Sequence, residues 1–146
     1  MIKKVSPVIS PELLKILAEM GHGETIVLAD ANYPVMTGKV KHVIRADGIG
    51  ILELLGAVLE LLPIDNFVKK AVGFMNADEG DPYTPAIQDR YKEILEREGV
   101  GEEKIEYLDR LTFYKKADEA YCIVATGERA RYANVILKKG IFEADE

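Results

Sequence analysis

The strongest constraint on the fold is an alternation. Unbroken runs of aliphatic and β-branched residues recur along the chain, separated by segments whose apolar residues fall at helical spacing. Thr25-Ile26-Val27-Leu28-Ala29 is such a run, and its lack of polar alternation predicts a strand covered on both faces in a parallel sheet. Before it, Ser10-Pro11-Glu12 supplies an N-cap, a proline suited to the first helical position and an acid for the positive end of the dipole. Leu13, Leu14, Leu17 and Met20 continue that helix, and Gly21 stops it.

The same logic predicts a strand over residues 40–44 after a loop marked by Asn32-Tyr33-Pro34 and Thr37-Gly38. Asp47 is a candidate N-cap for a helix over 51–62, where Leu52, Leu55, Val58, Leu59 and Leu62 form one apolar stripe. Residues 67–75 read as a strand and 76–83 as an acidic loop. Thr84-Pro85 opens a helix carrying Ile87, Tyr91, Ile94 and Leu95, which Gly99 ends. A strand over 104–108, a helix over 112–119 and strands over 121–126 and 135–137 complete the pattern. Helices alternating with apolar strands imply an α/β sheet with helices on both faces. At 146 residues, 48% hydrophobic and 30% charged, the chain suits one globular domain over 1–146.

Charge and cysteine usage narrow the function. The 19 Lys and Arg against 25 Asp and Glu give −6, no footprint for gripping nucleic acid or anionic lipid. Lys3 and Lys4 are followed by Ser6, Pro7, Ser10 and Pro11, so no export signal is expected. The most apolar segment, 49–62, is cut by Glu53 and Glu60, so no membrane span is expected either, and the reading is a cytoplasmic protein. Cys122, the single cysteine, sits in an apolar run and is expected to be a buried, inert thiol.

Ligands in open α/β sheets bind beyond the carboxyl ends of the strands, which gives weight to Asp30 just past the first apolar run. Asp also favours turns by bonding its own backbone. His22, one of two histidines, is flanked by glycines in Gly21-His22-Gly23. An imidazole titrates near neutral pH and suits proton transfer, but it could equally serve as a helix C-cap. His42 lies in a strand-like run and reads as structural or surface. The densest polar stretch, residues 127–134, contains Tyr132 and Asn134, a phenol and an amide able to hold sugar hydroxyls, or else is a solvated loop. Arg110 offers a fork of donors, or an ion pair with Asp109. Glycine-rich nucleotide loops, a zinc-protease helix and a serine elbow are all absent, so no cofactor or metal is expected, and proton-transfer chemistry fits the inventory best.

Ile9-Ser10-Pro11-Glu12-Leu13-Leu14, Glu19-Met20-Gly21-His22-Gly23, Leu28-Ala29-Asp30-Ala31, Ile44-Arg45-Ala46-Asp47-Gly48 and Thr126-Gly127-Glu128-Arg129-Ala130 with Tyr132-Ala133-Asn134 fall in one order along nearly the whole chain. Together they resemble the L-fucose mutarotase and D-ribose pyranase family. Gly23, Arg110 and Arg45-Ala46-Asp47-Gly48 are similar to the fucose branch, whereas Asn32 departs from members that carry histidine there. The resemblance implies a three-layer α/β/α sandwich with a mostly parallel, mixed sheet, a homo-oligomer built as a decamer, and a sugar site where subunits meet. It further implies His22 as proton donor and acceptor. Asp30, Arg110, Tyr132 and Asn134 would bind a monosaccharide, with Asp30 also a candidate to orient the imidazole. A ribose pyranase and a non-catalytic sugar-binding module are the alternatives.

Overall fold

The computed structural model describes residues 1–36 and 38–144, so Thr37 of the anticipated loop lies outside the described residues. Along the chain run α1 (Pro11–Glu19), β1 (Thr25–Ala29), β2 (His42–Ala46), α2 (Ile51–Leu59), β3 (Val72–Met75), α3 (Ile87–Arg97), β4 (Ile105–Leu108), α4 (Arg110–Asp118), β5 (Cys122–Thr126) and β6 (Val135–Lys138). The strands form one sheet in the order β2-β5-β1-β6-β3-β4. β2, β5 and β1 are mutually parallel, as are β3 and β4, while β6 runs antiparallel between β1 and β3. The expected mixed sheet is therefore present, with its one reversed strand near the centre. That reversal places the start of β6 on the same edge as the ends of the other five strands.

Alternate residues of each strand serve opposite layers. Ile26, Leu28, Val124, Val135 and Phe74 pack with buried residues of α1, α2 and α3. Val27, Ala29, Ile123, Ile136 and Met75 face Phe113 and Ala117 of α4. The result is an α/β/α sandwich with uneven outer layers, three helices on one face and α4 on the other. β1 is buried along both faces, as its unbroken apolar run predicts. No helix among the described residues is long and apolar enough to cross a membrane.

Local chemistry explains where the elements begin. Ser10 caps α1 by accepting the Leu13 N–H at 3.1 Å, with Pro11 in the first turn. Asp47 does not cap α2. It pairs with Arg45 at 2.9 Å, Gly50 is the N-cap residue, and the Ile51 N–H bonds Glu128 Oε1 at 3.1 Å. The cap thus comes from a residue distant in sequence. Helix α2 stops at Leu59, and Leu61 and Leu62 close it by returning their N–H groups to Val58. α3 starts later than Thr84-Pro85, because Ala86 bonds Thr84 and Gln88 bonds Pro85 in a preceding turn.

The strand anticipated over 67–75 shrinks to Val72–Met75. Lys104 Nζ donates to the Val68 carbonyl at 2.9 Å and Lys70 Nζ to the Glu103 carbonyl at 2.9 Å, so this stretch is tied down by lysines rather than by a ladder. β2 slides two residues to His42–Ala46 and forms one edge of the sheet. Helix α4 begins two residues earlier than anticipated, because the Asp109 carboxylate accepts the Thr112 N–H at 3.2 Å and so caps it.

Candidate functional site

The ends of β1, β3 and β4 and the start of β6 converge on one edge of the sheet. There Asp30, Arg110, Tyr132 and Asn134 line an open pocket of about 230 Å³, joined by Tyr33 and Asp78. Asp30 is 7% exposed, and its carboxylate accepts the Asn32 N–H at 3.0 Å. Burial pushes this carboxyl's pKa up. The Asn32 and Ala133 N–H groups and Asn134 oppose that shift without reversing it. Asn134 is itself buried and accepts the Asp30 backbone N–H at 2.7 Å, clamping the end of β1 to the start of β6.

Tyr132 has φ +55°, a left-handed conformation uncommon outside glycine, and this turns its side chain at the loop. Its hydroxyl donates to Asp81 Oδ2 at 2.6 Å. Asp81 also receives the Arg131 guanidinium, which lies 4.7 Å from the Tyr83 ring and 5.4 Å from the Tyr132 ring. The Tyr132 hydroxyl and then the Tyr83 N–H hold the Asp81 carboxyl below the usual carboxylate range. From behind, Gln88 donates to the Tyr132 carbonyl at 3.3 Å and Tyr91 to the Ala133 carbonyl at 2.9 Å, so α3 braces the loop. Arg110 pairs with Asp78 at 3.2 Å and lies over the Tyr114 ring at 5.8 Å. Asp109 is occupied as the cap of α4 and is not its partner.

His22 lies elsewhere. It sits in the turn before β1, whereas Asp30 follows β1, and a five-residue strand alone spans about 13–16 Å. Within one chain, then, Asp30 does not orient the imidazole. Asp65 does, with its Oδ1 3.2 Å from His22 Nε2. Nor does the ring cap α1, whose C-cap is Met20. The imidazole is 46% exposed and lies 5.5 Å from the Phe67 ring. Gly23, at φ +87°, supplies the left-handed turn that leads into β1.

The structure therefore brings together Asp30, Arg110, Tyr132 and Asn134 and separates His22 from them. Asp78 and Asp81 escaped sequence reasoning although the rule that singled out Asp30 applies to them as well, since both follow an apolar strand. Asp65 carried no signal, because its importance is a contact made 43 residues away. His42 lies on edge strand β2 against the Tyr121 ring at 4.8 Å, in keeping with a surface role. Cys122 is buried and free, and burial pushes its thiol up to about 12, as suits an inert side chain.

The pattern of the RbsD/FucU transport protein family matches residues 3–142. The L-fucose mutarotase of Actinobacillus pleuropneumoniae serotype 5b is 44% identical over 141 residues, 97% of each chain. Among solved structures, the fucose mutarotase from Streptococcus pneumoniae in complex with L-fucose superposes with a TM-score of 0.93 at 47% identity, covering 97% of this chain and 100% of that one. Bacillus subtilis RbsD complexed with D-ribose superposes with a TM-score of 0.74 at 26% identity, covering 98% and 100%.

Proposed function

The chain belongs to the RbsD/FucU transport protein family, and from that premise we propose that it is an L-fucose mutarotase that interconverts the α and β anomers by general acid–base catalysis. The observation that carries this reading is the convergence of Asp30, Arg110, Tyr132 and Asn134 on one pocket in a chain 47% identical to a fucose mutarotase. The lower likeness to RbsD makes ribose the lesser candidate.

The pocket supplies both ionic and neutral partners for a polyol. Asp30 accepts hydroxyl protons, Arg110 donates, and Tyr132, whose own proton is committed to Asp81, presents oxygen lone pairs. Anomer exchange removes the proton of the anomeric hydroxyl and adds one to the ring oxygen. The bond from the anomeric carbon to the ring oxygen breaks, the aldehyde rotates, and the ring closes on the other face. A positioned acid–base group contributes about 10²–10⁴-fold to such steps.

His22 is the group we assign to these transfers. Its distance from the pocket within one chain supports a composite site, in which His22 of one copy enters the pocket of a neighbouring copy. This is the arrangement expected of the decamer that the family resemblance implies. We place the enzyme in the cytoplasm, where a free buried thiol such as Cys122 is at home.

Saturation-transfer NMR on fucose, ribose and galactose, with and without the protein, tests the reading. Fucose anomers should exchange faster than background and faster than ribose, and His22→Ala should return the rate to background while the protein stays folded. An unaccelerated fucose spectrum with sugar still bound would favour a non-catalytic binding protein instead.

A further inference from the structure

Building on the mutarotase reading, we propose that Asp65 is a positioning residue for the reaction: its carboxylate holds the Nε2–H of His22 and so leaves Nδ1 as the nitrogen that exchanges protons with the sugar.

The geometry of Asp65 supports this. The residue is 3% exposed, and its backbone N–H donates to the Lys138 carbonyl at 3.0 Å, which fixes it to the end of β6. Its Oδ1 accepts both the Phe67 N–H at 3.0 Å and the imidazole edge at 3.2 Å. Burial by itself would raise the Asp65 pKa, but the Phe67 N–H, His22 and Lys138 more than reverse that, and the net direction is downward. The group is therefore a carboxylate at neutral pH, and an ionised carboxylate only accepts. The nitrogen facing it must carry the hydrogen. Since neutral imidazole has a single N–H, the lone pair falls on Nδ1.

The surroundings keep the ring in that state. The Phe67 ring covers one side of the imidazole at 57° between planes and is itself 67% exposed, so the pair stands out from the surface. Glu24, the nearest other carboxylate along the chain, is engaged by the Gly21 N–H at 2.7 Å. The Lys139 carbonyl takes the Gly23 N–H at 2.9 Å, which holds the following residue. With Nε2 tied and the ring unable to flip without losing Asp65, Nδ1 takes the anomeric proton and the resulting imidazolium returns a proton to the ring oxygen. The bond between the anomeric carbon and the ring oxygen breaks and re-forms as these protons pass, and the imidazole ends in the state in which it began.

Long-range ¹H–¹⁵N correlation spectra of the ¹⁵N-labelled protein in alkaline buffer report the tautomer directly. His22 and His42 are the only histidines, so a His42→Gln variant assigns the signals. The proposal expects His22 as the Nε2–H form in the wild type. Asp65→Asn keeps an oxygen for the Phe67 N–H but removes the charge, and its amide can either accept from a protonated Nε2 or turn over and donate to a bare one. It should give a tautomer mixture and slow anomer exchange about 10–100-fold, the range typical of carboxylates that orient imidazoles at metal centres, with fucose affinity unchanged. A wild-type His22 protonated at Nδ1, or an Asp65→Asn protein with the wild-type rate, overturns the proposal. The tautomer is read without turnover, so a His22→Ala protein that still accelerated exchange would instead sink the catalytic assignment of His22.

Discussion

At the scale of single residues, the pocket contains a conflict between binding and stability, located in Asp30. Its folded-state pKa is raised above the ordinary value of 3.8, chiefly by burial, so the folded chain holds the proton more tightly than the unfolded one. Ionisation therefore costs stability. The cost is full above the raised pKa, shrinks as pH falls through it and is gone below the unfolded value. Asp30→Asn should accordingly melt at a higher temperature than the wild type at pH 7, with the difference narrowing as the pH falls toward the ordinary value of 3.8, while its fucose affinity falls. Thermal melts at the two pH values and a fucose titration check both halves. A constant difference, or an unchanged dissociation constant, contradicts this account. Function at the expense of stability is the usual pattern for a residue whose environment is arranged for a ligand.

At the scale of elements, the Thr126-Gly127-Glu128 stretch has a structural explanation that its resemblance to a family motif did not provide. Thr126 Oγ1 donates to the Ala29 carbonyl at 2.7 Å and accepts the Glu128 N–H at 3.1 Å, joining the ends of β5 and β1. A side chain at Gly127 would run into the Asp47 carbonyl, so only glycine lets the two loops approach. Glu128 then accepts the first N–H of α2 through Oε1 and the Ala130 N–H at 3.2 Å through Oε2. Glu128→Ala leaves both donors without partners and should cost about 1–3 kcal/mol, measured by urea unfolding. Loss of α2 capping should also loosen the loop that carries Tyr132. An unchanged midpoint would mean that water replaces the carboxylate at no cost. The Asp47 expectation failed for the same reason: a cap read locally competes with one delivered by a distant loop, and the distant one wins here because Asp47 is engaged by Arg45.

At the scale of the whole molecule, the separation of His22 from Asp30 predicts complementation between damaged copies. His22→Ala should lack accelerated exchange, and Asp30→Asn should show little of it at fucose concentrations below its weakened dissociation constant. When they are denatured together and refolded as a mixture, roughly a quarter of randomly formed interfaces would pair an intact His22 with an intact Asp30, and activity should return to about that fraction. If both residues served one site within a chain, no mixture would recover. Light scattering on the wild type supplies the companion measurement, and a monomer that remains fully active would refute the composite site. The strand and helix types, the buried β1, the inert Cys122 and the strand-end placement of Asp30 were all legible in the sequence. They depend on apolar periodicity and on turn and capping preferences, which act over a few residues. The reversed direction of β6, the Glu128 cap, the Asp81 partner of Tyr132 and the exchange of Asp30 for Asp65 beside His22 were decided only by the tertiary structure. Each is a contact between segments far apart in the chain, fixed by how the strands order themselves in the sheet, and no local pattern of residues encodes that order.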